Sequence, residues 1–195
     1  PYVYQGEELG MSNTVFEGID DFEDIESTNY YRLAVERGED PQAVLSGLRA
    51  MGRDNARTPV QWDGSAHAGF TTGTPWIALN PNYSVINASE QVGDPTSVFA
   101  YFKALIELRH RLAVVANGSF ERIDAGSREI FAYRRVLGER ELIVIANLSS
   151  RDAQPSLPSE ISEAAPEFVP VLTNANVWEE MDAPLAPWRA RVFLA

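Results

Sequence analysis

PYVYQGEELG, residues 1 to 10, sets an apolar run directly against a glycine and two adjacent glutamates. Residues 1 to 5 read as a short strand, ended at Gln5-Gly6. No initiator methionine and no polar lead-in precede it. The expectation is a strand from the middle of a fold, with further chain before it.

A long excursion follows. FEDIESTNYYRLAVERG, residues 22 to 38, predicts a helix over about 24 to 37, with Ile25, Tyr30, Leu33 and Ala34 on a broad apolar face and Gly38 as its stop. EDPQAVLSGLRAMG predicts a second helix, with Asp40 as N-cap, Pro41 at the first helical position, Gly52 after the last turn, and Val44, Leu48 and Met51 as the buried stripe. Residues 53 to 94 carry many Gly, Pro, Asn and Thr residues without a sustained period, which predicts an ordered functional loop. GDPTSVFAYFKALIELRHRL, residues 93 to 112, is the clearest helix: Asp94 caps it, Pro95 opens it, and Val98, Phe102, Leu105, Leu108 and Leu112 recur at helical spacing. Beyond Asn117-Gly118 the period falls to two. SFERID, EIFAYRRV and ELIVIANL predict strands, the last pair joined by the turn LGER, and FVPVLTN and WRARVFLA follow a proline-rich patch at 155 to 170. The part from 118 onward therefore reads as a small antiparallel β-domain.

Composition narrows the function classes. The chain has 195 residues, enough for one domain or two small ones, and its 16 basic against 28 acidic residues give a net charge of -12. That surface disfavours nucleic acid and anionic membranes as partners. With no cysteine there are no disulfides, thiolate catalysis or cysteine-held metals, and two histidines, His67 and His110, cannot supply a histidine-rich metal site. No segment approaches the ~20 apolar residues of a membrane helix.

No nucleophile-and-base spacing and no phosphate-binding glycine loop is present. What stands out is carboxylates beside arginines in aperiodic sequence: Glu7 and Glu8 in GEELG, and Arg53, Asp54 and Arg57 with Trp62 and Asp63 in GRDNARTPVQWD, residues 52 to 63. A sugar site needs such groups, carboxylates and guanidiniums for hydroxyls and an aromatic face for the apolar side of the ring. By composition alone, Arg53, Asp54 and Arg57 read first as a salt-bridge network pinning a loop. Trp62 reads as a packed residue, His67 as a loop histidine, and His110 as structural.

PYVYQGEELGM resembles the eighth barrel strand of the α-amylase superfamily of glycoside hydrolases, in its oligo-1,6-glucosidase and α-glucosidase branch. The resemblance continues in order through DDFEDIESTNYY (20–31), GRDNARTPVQWDGSAHAGFT (52–71), TPWIALNPNYSVINASEQVGDPTSVFAYFKALIELR (74–109) and, more loosely, GSFERIDAGSREIFAYRR (118–135). It implies that residues 1–112 are the end of a (β/α)8 barrel, with strand eight at 2 to 5 and a helical excursion over the active site at 12–94. Residues 118–195 would form a C-terminal antiparallel β-sandwich. The family's three catalytic carboxylates follow barrel strands four, five and seven, so all would precede residue 1 and no catalytic residue is expected here. Arg53 resembles the family arginine at the non-reducing glucose, and Arg57 and Glu8 resemble residues bordering the leaving-group subsite. Asp54 would orient both arginines, with Trp62 supporting them. No cofactor or metal is implied in these residues. The partners implied are an oligosaccharide substrate and the missing N-terminal barrel portion, and the location implied is the cytoplasm.

The resemblance implies an exo-acting, retaining α-glucosidase cleaving α-1,6 or α-1,4 linkages at the non-reducing end, of which this chain alone would be inactive. Two alternatives stand beside it: a sucrose or trehalulose isomerase of the same branch, and a non-catalytic β-sandwich binding module.

Overall fold

Asp24 and Asp40 start the two helices that dominate the first hundred residues. In a computed structural model, which describes residues 2–195, helix α1 runs Ile25–Glu36 and helix α2 runs Pro41–Met51. The Asp24 carboxylate accepts from Glu26 N at 3.3 Å and that of Asp40 from Gln42 N at 3.0 Å, satisfying backbone donors that the first turn leaves free. Gly38 follows α1 at φ 88. Both helices form where the caps put them, but their buried faces differ from the apolar pattern. Ile25 is 73% exposed and Met51 86%, whereas Ser27, Ala34, Val44 and Leu45 are buried. The cause is polar: Asp24 is buried and tied to Ser27 and Arg53, which turns the Ser27 side of α1 inward. The apolar contacts here centre on Phe16, Phe22, Leu45 and Ile77, with the Phe16 and Phe22 rings 4.4 Å apart.

Residues 53 to 94 are mostly irregular, interrupted by the 3-10 turns Arg53–Arg57, Ala66–Gly69 and Pro81–Ser84 and then a single helical turn, α3, Ala88–Gln91. Helix α4, Val98–Arg111, starts later than Asp94 and Pro95 suggest. Asp94 instead closes a preceding turn through Thr96 N, and the Ser97 hydroxyl accepts Ala100 N at 3.1 Å. A short helix α5, Ala113–Asn117, follows. Residues 2 to 5, expected as a strand, pair with no strand among the described residues, and Tyr2, Val3 and Tyr4 are exposed. A strand exists only against another backbone, and none lies beside these residues.

The chain divides into two units, one running to Lys103 and the other Ala104–Ala195. The second holds a five-stranded antiparallel sheet of β1 (Glu121–Ile123), β2 (Ile130–Leu137), β3 (Arg140–Asn147), β4 (Val169–Thr173) and β5 (Ala190–Leu194), in the order β1-β2-β3-β5-β4. Two residues connect β2 to β3, and Gly138 at φ 62 takes the left-handed position that such a tight loop demands. Alternation sends Ile130, Ala132, Ile143, Ile145 and Phe193 to one face of the sheet. Leu142, Val192 and Leu194 go to the other, with Leu108 and Val114 packed on them. On the first face the covering layer is not a second sheet. It is helix α6 (Ser159–Ala164), Met181 and a lone bridge between Ala153 and Leu185. Pro155, Pro158 and Pro166 withhold the N–H groups a ladder would need.

Candidate functional site

The loop after α2 is organised around a buried carboxylate. Asp54 is fully buried, and its Oδ2 accepts from Glu23 N and Asp24 N, each at 3.0 Å. Its Oδ1 accepts from Nη2 of Arg57. One side chain thus joins the 3-10 turn that carries it to the N-terminus of α1, and holds an arginine as well. A buried carboxylate is tolerated only when paired and hydrogen-bonded, and Asp54 meets both conditions.

Arg53 is not held by Asp54, as the sequence suggested, but by Asp24. Its Nε donates to Asp24 Oδ2 at 3.1 Å and its Nη2 to Oδ1 at 2.8 Å, a two-point clamp. Nη2 also lies 2.6 Å from the Glu26 carboxylate. The hydrogen bond from Arg53 holds the Asp24 carboxyl below its ordinary value, against the opposing effect of burial. Asp24 therefore does two jobs, capping α1 and clamping Arg53. The sequence pattern reveals only the first, because the partner lies 29 residues away. The two carboxylates are themselves linked, since Asp54 accepts the Asp24 N–H. The result is a continuous line of charge-assisted bonds, Arg57 to Asp54 to Asp24 to Arg53. Arg53 is fixed along its Nε–Nη2 edge and Arg57 through Nη2 alone, and the Nη1 groups have no hydrogen-bond partner among the described residues. Arg57 Nε is buried and likewise unpaired. An array of this kind offers pre-oriented donors to neutral acceptors such as sugar hydroxyls.

The other candidate residues stand apart from this line. Glu8 lies in a 3-10 turn, Glu7–Leu9, where its carboxylate accepts from Gly6 N at 2.8 Å, and it is half-buried. A cavity of about 400 Å³ is lined by Gln5, Gly6 and Glu7 on one side and by Arg53, Asn55 and Ala56 on the other, so the first turn and the arginine loop share a wall. A larger groove of about 820 Å³ lies between α1 and α2, with Arg53 on its rim as well. Trp62 is not packed, as expected from the sequence, but 54% exposed. His67 is half-buried in a turn, and His110 is exposed on α4. Among the described residues no group of three or more His, Asp or Glu is placed to hold a metal ion. Nor is any described helix long and apolar enough to cross a membrane.

Residues 1–118 match the alpha amylase catalytic domain. An oligo-1,6-glucosidase from Parageobacillus thermoglucosidasius is 46% identical over 195 residues, a match covering 99% of this chain and 35% of that protein. The trehalose-6-phosphate hydrolase of Bacillus licheniformis, known from a crystal structure, superimposes with a TM-score of 0.89 at 37% identity. The trehalulose synthase of Pseudomonas mesoacidophila MX-45 does so with a TM-score of 0.88 at 34% identity. In both structures the match covers 100% of this chain and 35% of the other. The chain thus spans about a third of the length of the relatives it matches.

Proposed function

This chain belongs to the α-amylase family, and from that membership we propose that it is the C-terminal portion of a retaining α-glucosidase acting on short α-linked oligosaccharides. The observation that carries the reading is the paired clamp on Arg53 and Arg57, inside a stretch 46% identical overall to an oligo-1,6-glucosidase. In this reading residues 2 to 5 are the last strand of a (β/α)8 barrel. Residues 12–94 are the loop over its mouth, and 118–195 the C-terminal antiparallel β-domain. The catalytic carboxylates, a nucleophile and an acid, lie in the remainder of the enzyme, which is also the partner this chain needs. One carboxylate attacks the anomeric carbon while the other protonates the leaving oxygen, and water then releases the glucosyl group with retention. Arg53 serves the non-reducing glucose, and Arg57 and Glu8 border the leaving group. The cytoplasm is the proposed location, since the chain carries no cysteine.

The solved isomerases support a second reading. Their TM-scores of 0.88 to 0.90 match that of the hydrolase, so the backbone alone favours neither. Identity favours hydrolysis, at 46% against 34% for the trehalulose synthase. The test separates all readings. The purified 195-residue chain is expected to release no p-nitrophenol from p-nitrophenyl α-glucoside, whereas the full-length enzyme releases it and yields glucose from isomaltose. Accumulation of an isomeric disaccharide from sucrose, without glucose from isomaltose, points to the isomerase. Turnover by the 195-residue chain alone overturns the division of labour.

A further inference from the structure

Helix α2 is capped from a distance. The end of a helix leaves its last carbonyls without partners, and a left-handed glycine is the common way to close it. Gly52 does not take that conformation. It is extended, at φ -64 and ψ 140, and leads straight into the arginine turn; its N–H reaches Leu48 O alone, at 2.7 Å. A Cβ on Gly52 would lie 2.6 Å from that same oxygen, so the passage admits no side chain. Side-chain amides meet the carbonyls that follow. Nδ2 of Asn13 donates to Arg49 O at 3.2 Å and to Ala50 O at 3.0 Å, from 36 and 37 residues away. Nδ2 of Asn55 donates to the same Arg49 O at 2.9 Å and to Gly52 O at 3.2 Å.

Asn13 is itself held. The buried Asn80 donates from Nδ2 to Ser12 O at 2.9 Å and to Asn13 O at 3.0 Å, and the Thr14 hydroxyl donates to Leu79 O at 3.2 Å. Just before Ser12, the Met11 N–H closes the Glu8 turn onto Gly6 O at 3.0 Å. Chain and hydrogen bonds thus run without a break from the Glu8 turn, through residues 12–14, to the end of α2, where the chain passes into Arg53. Gly6, Glu7, Asn13, Gly52 and Arg53 all stand in the wall of the cavity of about 400 Å³. The line of carboxylates ties the arginine turn to the start of α1. The amides tie it to the Glu8 turn, which the carboxylates do not reach.

We infer that Asn13 is a positioning residue, which sets the separation of the arginine turn from the Glu8 turn across this cavity. The inference rests on the α-glucosidase reading, in which Arg57 and Glu8 border one leaving group, and adds to it the residue that keeps the two in register. A turn anchored at one point can still rotate about it, and a second anchor removes that freedom. Misplacing a binding group by about 1 Å can cost on the order of a hundredfold in rate. A single neutral hydrogen bond contributes little to stability. Loss of the Asn13 amide therefore shows in catalysis before it shows in melting.

The test uses the full-length enzyme and isomaltose. Asn13→Ala is expected to lower kcat/KM roughly three- to tenfold, chiefly by raising KM, at an unchanged Tm. Asn13→Gln keeps the donor and should recover part of the loss; the same loss as Asn13→Ala would place the effect outside these hydrogen bonds and overturn the inference. In an Arg57→Ala background Asn13→Ala should cost clearly less than in wild type, because the group it positions is gone. Additive losses, or unchanged kinetics in Asn13→Ala, would make the amide a helix cap only and overturn the inference. If the wild type releases no glucose from isomaltose, the α-glucosidase reading itself fails. Hydrogen exchange on the same proteins then decides the joint: faster exchange over residues 49–57 in Asn13→Ala with α1 unchanged upholds it, and equal exchange overturns it.

Discussion

Replacing Asp54 should unfasten both the arginine loop and the start of α1. Asp54→Ala removes the acceptor for Glu23 N and Asp24 N, both held at 3.0 Å by one ionised oxygen. Hydrogen bonds to a charged group contribute about 1.5–3 kcal/mol each, so the two together account for roughly 3–6 kcal/mol. The Arg57 contact adds less, since the arginine side chain is 36% exposed and solvent screens it; we assign it at most about 1 kcal/mol. An overall loss of about 4 kcal/mol follows, a large part of the stability of an ordinary domain. Asp54→Asn should cost about half as much. Its amide oxygen can still accept both backbone donors, but without charge, and its NH₂ group meets the Arg57 donors. The assay is urea unfolding of the 195-residue chain followed by tryptophan fluorescence. Trp178→Phe and Trp188→Phe are included so that only Trp62 and Trp76 report. A midpoint for Asp54→Ala within about 1 kcal/mol of wild type, or no worse than Asp54→Asn, would refute the reasoning.

The proposed subsite assignment predicts how the two arginines divide their work in the full-length enzyme. Arg57→Ala should weaken discrimination between isomaltose and maltose by several-fold in kcat/KM while sparing aryl glucosides. Arg53→Ala should depress every substrate alike, and because it also strips Asp24 of its partner, it should lower Tm as well. Acidification tests the Asp24 clamp. Its carboxyl sits below the ordinary value of 3.8, so the stability it contributes is complete above that value and is lost as pH falls through the lower folded value. Between about pH 5 and pH 2 the wild type should therefore lose Tm more steeply than Asp24→Asn, and parallel slopes would remove Asp24 from the acid response.

Local chemistry made most of the fold legible. The cap Asp40, the opening Pro41 and the left-handed Gly38 act within one or two residues of themselves, so the ends of α1 and α2 they mark stand where the sequence suggests. The strands likewise follow a period of two that no distant contact overrides. Helix rotation was not legible. Ile25 fits the apolar stripe by spacing yet faces outward, because an ion pair between segments 29 residues apart decides which side of α1 turns inward; Met51, at the end of α2, is exposed as well. The same limit hid the polar hubs of the second unit. Asn147 reads as an ordinary strand residue, yet its Nδ2 donates to Arg151 O at 2.6 Å, Leu185 O at 3.0 Å and Ala186 O at 3.1 Å, drawing loops together that no periodicity connects.

The candidate site divides along the same line. RDNAR announces itself by composition, and Arg53, Asp54 and Arg57 do share one network. Asp24 reads only as the place where a helix begins; that it clamps Arg53 depends on a segment 29 residues away. The exposure of Trp62 was hidden for a different reason: tryptophan inside buried sequence reads as core, yet Trp62 is 54% exposed. Its exposure depends on a carbonyl six residues on, turned toward it by three left-handed residues of which only one is glycine. The signal that could have found it is AHAG itself. A glycine in such a loop permits positive φ, and in the structure the left-handed run extends back over His67 and Ala68. What stays unread in sequences of this kind is the second use of a residue whose first use is plain. Asp24 is the instance here, since it starts α1 and also clamps Arg53.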